Sequence, residues 1–153
     1  MTTQTDHTEI TLLVDRFFRA LDDREFQGNR AERFLTEDAR METPLGTFEG
    51  ADALRGTEEA LGRYERTQHI ASGVLVETAE GGDEATATWN ALMTHVHGDA
   101  TRQMYGADAD PLFTVGGRFD AGLVRTTDGW RFRRVAVHPI WTQGRPPVGV
   151  GDA

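Results

Sequence analysis

The chain carries five histidines, twenty-five carboxylates and no cysteine. Its reactive chemistry is therefore acid–base chemistry rather than thiol chemistry. His69 stands in Thr67-Gln68-His69-Ile70, where helical spacing gives way to an apolar run with strand character. An imidazole there points into the space between a sheet and the preceding helix, and its near-neutral titration suits it to give or take a proton. The same position also suits a hydrogen-bonded structural histidine. Asp22 closes an amphipathic segment, at the margin of its apolar stripe. The helix dipole disfavours a carboxylate at that end, so a compensating group is expected. His95-Val96-His97 puts two imidazoles on one strand face, a spacing that could chelate, but no third ligand stands at a suitable spacing and no metal is expected. No glycine-rich phosphate loop follows a strand and no GxSxG is present, which argues against nucleotide chemistry and an α/β-hydrolase triad.

These residues must be positioned by the elements around them. Residues 6–22 read as a helix, with Asp6 and Glu9 as a capping box and Ile10, Leu13, Val14, Phe17 and Leu21 on its buried face. Phe18 extends that face towards Asp22, while Asp23, Arg24 and Glu25 read as solvated charges. Asn29 is expected to cap a short helix holding Phe34 and Leu35. Ala39 to Pro44 reads as a short strand, Gly46 to Gly50 as a turn or brief extended piece, and Ala51 to Tyr64 as a helix weakened by Gly56 and Gly62. Ser72–Ala79 and Glu84–His97 form a hairpin round Glu80-Gly81-Gly82-Asp83. Alternation sets Ala85, Ala87, Trp89, Ala91, Met93, His95 and His97 on one face. Gly98 to Asp110 reads as a polar loop, Pro111 to Thr126 as a strand with a bulge at Gly116-Gly117, and Trp130 to Trp141 as the last strand. His138, before Pro139, is expected to be structural.

Helices first and long strands afterwards predict an α+β domain, a curved antiparallel sheet wrapped round N-terminal helices. One domain is expected over residues 7–142, with residues 1–6 and 143–153 as flexible tails. The apolar fraction of 38% suits an ordinary core, and no apolar run approaches a membrane span. The N-terminal residues lack the pattern of a signal peptide, so a cytoplasmic location is expected. A net charge of −9 argues against nucleic acid and anionic membrane as partners.

The helix end Ala20-Leu21-Asp22-Asp23-Arg24-Glu25-Phe26, the segment Thr67-Gln68-His69 and the hairpin from Gly116-Gly117-Arg118-Phe119-Asp120 to Gly129-Trp130-Arg131-Phe132 resemble the SnoaL-like proteins of the nuclear transport factor 2-like superfamily. The nearest echoes are scytalone dehydratase and related dehydratases, including those of bile acids. The resemblance covers residues 7–142 and implies a cone-shaped α+β fold with a deep pocket. It matches Asp22 and His69 to a catalytic aspartate–histidine dyad, in which the carboxylate orients the imidazole and the imidazole moves the proton. It puts Arg118 and Asp120 near polar pocket positions, where they would bind substrate; read from the strand alone, they suit a surface ion pair on its solvated side equally well. Leu21 stands where scytalone dehydratase has a tyrosine. Tyr64 is a possible replacement phenol or else a helix residue packed on the sheet. The second histidine of that enzyme falls near residues 94–97, where the alternation puts Val96. A shift of one residue would bring His95 or His97 to it.

The expected function is thus a cofactor-independent dehydratase, isomerase or cyclase acting on a small hydroxylated carbonyl compound, with specialised, polyketide-type metabolism as the setting. A non-catalytic domain for small ligands or protein partners, or an epoxide hydrolase, is the alternative. Trp89, Phe119, Trp130, Phe132 and Trp141 exceed what the interior needs, so the outer sheet face is expected to form a homodimer.

Overall fold

The computed structural model describes residues 2–26 and 28–149, with the backbone alone for 28 and 29. Its elements are α1 (Gln4–Asp22), a 3-10 turn (Gly28–Arg33), β1 (Leu35–Thr43), β2 (Gly46–Glu49), α2 (Ala53–Leu61), β3 (Tyr64–Thr78), β4 (Glu84–His97), α3 (Asp99–Tyr105), β5 (Leu112–Thr126) and β6 (Gly129–Gln143). The fold is α+β, as expected. The six strands lie in the order β2-β1-β6-β5-β4-β3. All neighbours are antiparallel except β1 and β6, which run parallel, so the sheet is mixed rather than purely antiparallel.

Helix α1 starts earlier than its charge pattern predicts. Thr3, not Asp6, is the N-cap: its hydroxyl oxygen accepts from the Asp6 backbone N–H at 3.0 Å and donates to Asp6 Oδ2 at 2.7 Å. Asp6 is buried and accepts from Arg125 Nη2 at 2.6 Å and Trp130 Nε1 at 3.3 Å. The helix start is thereby pinned to the β5–β6 hairpin. These bonds hold the Asp6 carboxyl at about 2, the Thr3 hydroxyl and the Arg125 guanidinium outweighing the cost of burial.

The apolar stripe of α1 lies on the concave face of the sheet. Ile10, Val14, Phe17 and Phe18 are fully enclosed, with Trp89, Phe132 and Leu123 opposite them. Phe18 meets the Phe119 and Trp89 rings edge-on at centroid distances of 5.1 and 6.1 Å, and Trp89 stacks on Phe119 at 5.2 Å. Each such ring stabilises the fold by about 1.5–3 kcal/mol through burial alone. The aromatics expected to crowd the outer face are thus core: Trp89, Phe119, Trp130 and Phe132 all point inward. Only Trp141 of that set lies outside, and the interface argument built on the other four is withdrawn.

Four further expectations change. Phe34 and Leu35 lie beyond the 3-10 turn, at the entry to β1, not in a helix. The side chain of Asn29 is outside the described residues. The second helix stops at Leu61, and Tyr64 opens β3. The polar loop after His97 contains α3, started at Gly98, whose backbone sits close against Arg63 O. The segment after β6, expected to be a tail, packs back on α3 within the described residues. Tyr105 Oη donates to Pro146 O at 2.7 Å, Val148 N–H donates to the buried Thr101 Oγ1 at 3.1 Å, and the Arg145 guanidinium lies 3.6 Å above the Tyr105 ring. Composition hides this, because prolines and glycines can strap a surface as readily as leave it.

The pairing of β5 with β6 is irregular at Gly116-Gly117, where a bulge was expected, but the extra residue is Ile140 of β6: Gly116 pairs with Trp141 and Gly117 with Pro139, while the β4–β5 register runs on unbroken. A Cβ on Gly116 would sit 2.2 Å from the Trp141 indole, so the missing side chain is what lets Trp141 lie across the sheet. Among the described residues no helix is long and apolar enough to cross a membrane.

Candidate active site

Between α1, α2 and the concave sheet lies a cavity of about 370 Å³. Its walls are mostly apolar: Phe17 and Leu21 from α1, Met41 from β1, Leu61 from α2, Phe113 and Phe119 from β5. Polar groups are few, and three of them are Tyr64, His69 and His95. Among the described residues no carboxylate lines it. A wider open groove of about 880 Å³ runs between α1 and the β5–β6 turn, but it is lined by surface charges of both signs and, among the described residues, by no histidine.

His69 reaches the cavity because β3 alternates. Thr67, His69 and Ala71 share its inner face, and His69 pairs with Met93 and Thr67 with His95 across β4. Tyr64 would face outward in that alternation. A register irregularity between Tyr64 and Arg66 returns it to the inner face, opposite His97.

Asp22, the last residue of α1, stands directly behind His69. Its Oδ1 lies 2.6 Å from His69 Nδ1, its Oδ2 accepts from the His69 backbone N–H at 2.9 Å, and Thr67 Oγ1 donates to Oδ1 at 2.9 Å. The contact expected between Asp22 and His69 across 47 residues is present, and so is the compensation that a carboxylate at a helix C-terminus requires. The His69 and Asp22 side chains are only 5% and 17% exposed. Burial works to raise the Asp22 pKa, but the hydrogen bonds from His69 and Thr67 outweigh it and leave Asp22 below the usual carboxylate value. A carboxylate on Nδ1 fixes the proton there and leaves Nε2 as the basic nitrogen. Phe18 packs on the imidazole at a centroid distance of 5.3 Å.

His95 needs no register shift to reach the cavity. It lines the wall in the alternation the sequence predicts, edge-on to His69 at 5.8 Å and against Tyr64 at 4.4 Å. Its Nδ1 lies 2.9 Å from Phe113 O, an acceptor, so Nδ1 carries the proton and Nε2 is a lone pair. Burial drives the His95 pKa down to about 4, against a smaller opposite pull from the Phe113 carbonyl. His95 is therefore neutral at pH 7. Burial also pushes the Tyr64 phenol up to about 12, with Arg63 opposing, so it stays a hydrogen-bond donor.

His97 lies behind that wall. It is 1% exposed, flanked by Tyr64 and Phe113, and lines a separate small cavity near α3. Neither of its ring nitrogens has a hydrogen-bond partner among the described residues. Among those residues no group of three or more histidine or acidic side chains converges to hold a metal ion.

Arg118 and Asp120 do not reach the cavity, which corrects their expected place. Phe119 between them faces inward, so both face outward. Arg118 Nη2 donates to Asn90 Oδ1 at 3.3 Å, and Asp120 pairs with Arg134 at 3.6 Å. The reading of Arg24 as a solvated charge is also corrected: it is half-buried and bonded to Leu21 O, Thr67 Oγ1 and Leu61 O. Pro146 and Pro147 of the C-terminal strap close one side of the cavity. The alternation of Thr67 with His69 was a usable signal for Thr67. Nothing local in the sequence marks Arg24 or the strap.

The chain shares this architecture with solved structures. The Kfla4162 protein of Kribbella flavida superposes with a TM-score of 0.80 at 23% identity, over 92% of this chain and 94% of that one. A putative scytalone dehydratase of Novosphingobium aromaticivorans gives 0.72 at 19% identity, over 93% and 92%. The hexachlorocyclohexane dehydrochlorinase LinA-type3 of Novosphingobium barchaimii gives 0.71 at 14%, over 94% and 90%. At these identities the likeness is one of fold. No curated protein matches the sequence. The family model that does match is that of the SnoaL-like domain, over residues 2–136, and with a curved sheet, a helix-capped pocket and most of its length inside that match, the chain belongs to the SnoaL-like domain family.

Proposed function

We propose that the cavity is the active site of a cofactor-independent lyase or isomerase, of dehydratase or cyclase type, acting on a small hydroxylated carbonyl compound. The observation that carries this reading is the Asp22–His69 contact of 2.6 Å at the wall of a mostly apolar pocket. Structures of similar fold described as a putative scytalone dehydratase and a dehydrochlorinase support elimination chemistry in such a pocket.

In a dehydration, Tyr64 donates a hydrogen bond to the substrate carbonyl oxygen. His69 Nε2 takes a proton from the adjacent carbon. The electron pair of that C–H bond forms the C=C bond as the C–O bond to the β-hydroxyl breaks. The His69 imidazolium returns its proton to the departing hydroxyl, and water leaves. Asp22 remains ionised and stabilises the imidazolium. His95, neutral with Nε2 as acceptor, holds a substrate hydroxyl. Isomerisation uses the same first step, with the proton returned to another carbon. Neither route asks for a cofactor. Epoxide hydrolysis by Asp22 fits less well, because both carboxylate oxygens are already bonded to His69 or Thr67 and Asp22 does not line the cavity.

The same reading includes a cytoplasmic homodimer. Ile70, Leu92, Gly116 and Trp141 stand in register across β3, β4, β5 and β6. Ile70, Leu92 and Trp141 are 49%, 42% and 48% exposed, an apolar row on the outer face that suits a second copy.

The test is a screen of β-hydroxy ketones and hydroxylated aromatic ketones for loss of water by mass spectrometry. Asp22→Asn and His69→Ala should each lower turnover by about 10²–10⁴-fold, and the double variant by little more, because the two act as a unit. Full activity in His69→Ala would refute the mechanism. A compound that binds without turnover, equally well in both variants, would mark a binding domain instead.

A further inference from the structure

Helix α1 ends in a Schellman motif. The Glu25 N–H donates to Ala20 O at 2.9 Å and the Arg24 N–H to Leu21 O at 3.3 Å. The residue that must enter the left-handed region is Arg24, at φ 56°, and it is the only non-glycine with positive φ among the described residues. Glycine is the ordinary occupant, since a side chain there costs roughly 1–2 kcal/mol. An arginine kept at such a position points to a use for its side chain.

That use is visible in its partners. Nη1 donates to Leu21 O at 2.7 Å and to Thr67 Oγ1 at 2.8 Å, and Nη2 reaches Leu61 O at 3.4 Å. The guanidinium thus ties the end of α1 to β3 and to the end of α2. Its bond to Thr67 occupies a lone pair of the hydroxyl and directs the single hydroxyl hydrogen to Asp22 Oδ1, at 2.9 Å. Asp22 Oδ1 in turn faces His69 Nδ1. Four side chains form one polar chain, Arg24–Thr67–Asp22–His69, polarised from the cation towards the imidazole.

We propose that Arg24 is a positioning residue, which through Thr67 fixes the Asp22 carboxylate against which the His69 ring is held. The inference rests on the Asp22–His69 reading of the site and deepens it. Neither Arg24 nor Thr67 touches the cavity directly. The two provide an outer shell, and partners of this kind are usually worth about 10–100-fold in the property they support.

The test separates this role from that of a helix stop and needs no substrate. Arg24→Gly satisfies the left-handed backbone better than arginine, so a stop role would be kept or improved. The readout is the proton NMR signal of His69 Nδ1–H, with its exchange rate with solvent, in the intact protein. Arg24→Gly should shift the signal upfield and speed its exchange about 10-fold or more, while backbone amides far from the site keep their wild-type shifts. Thr67→Val leaves Arg24 its bonds to Leu21 and Leu61, and should do the same. Thr67→Ser should restore the signal. If Arg24→Gly does not fold, Arg24→Lys replaces it, because lysine keeps the charge and loses the planar fork. An unchanged Nδ1 proton in a folded Arg24 variant overturns the proposal, whatever Thr67→Val does. A moved proton in a chain that nonetheless dehydrates nothing would count against the enzyme reading alone.

Discussion

His95 makes a measurable commitment. Folding buries its ring against Tyr64, Phe113 and His69 and lowers its pKa from 6.5 to about 4. The unfolded chain binds a proton at pH values where the folded chain does not, so acid favours unfolding. The contribution of neutral His95 to stability is fully present above about pH 6.5 and is lost as pH falls towards about 4. With about 1.4 kcal/mol per pKa unit, integration gives a loss of about 2 kcal/mol between about pH 7.5 and pH 5, and about 3 kcal/mol by about pH 4. At an m-value of about 2 kcal/mol/M, the first interval corresponds to a fall of about 1 M in the urea midpoint. His95→Gln removes the titrating group and keeps a donor within reach of Phe113 O. Its midpoint should fall by about 1 M less than that of the wild type between the same two pH values. Titrating groups that do not interact with His95 contribute equally to both proteins and cancel in the difference. Equal midpoint shifts in the two proteins would mean that His95 titrates as in water, and would remove the basis for treating it as a neutral acceptor in the pocket.

Other consequences are simpler. The Asp6 pKa is depressed to about 2, so its contribution is present above about pH 3.8 and lost as pH falls through about 2; Asp6→Asn should unfold at lower urea than wild type at neutral pH and show a weaker acid dependence, followed by Trp130 fluorescence. Gly144 has φ 91°, and a Cβ there would sit 2.3 Å from Leu112 O; Gly144→Ala should unseat the strap at a cost of at least about 1–2 kcal/mol, seen as new proteolysis near Arg145. On the proposed homodimer, Trp141→Ser on the outer face should shift the mass by light scattering towards monomer at micromolar concentration; a monomer mass in the wild type, or an unaltered dimer mass in the variant, would refute that interface. Arg118→Ala, on the outer face beside Asn90, should leave turnover unchanged to within about 2-fold, because surface changes of this kind cost little.

The sequence by itself determined the parts of this protein that depend on local periodicity. The 3.6-residue spacing of Ile10, Leu13, Val14, Phe17 and Leu21 can be satisfied only by a helix with one buried face, and that spacing also put Asp22 at the edge of the stripe. Strict alternation from Ala85 to His97 fixed which side chains of β4 face inward, His95 among them. Period 2 leaves no choice once one face is apolar. The same alternation, applied to Phe119, turns Arg118 and Asp120 outward, in keeping with the surface reading of those two residues, whereas the resemblance put them in the pocket. Tertiary structure decided what periodicity cannot reach. The irregularity at Glu65 returned Tyr64 to the inner face, because an inserted residue reverses the alternation without leaving a mark in composition. Pairing of β1 with β6 made the sheet mixed, since strand order depends on which edges are free when the sheet closes over α1. Arg24 joined the site only because the turn after α1, the end of α2 and the inner face of β3 meet at one point, across separations of 37 and 43 residues. A charge is read from sequence as solvated unless its acceptors are visible. Two of its three acceptors are backbone carbonyls, whose positions exist only in the folded chain.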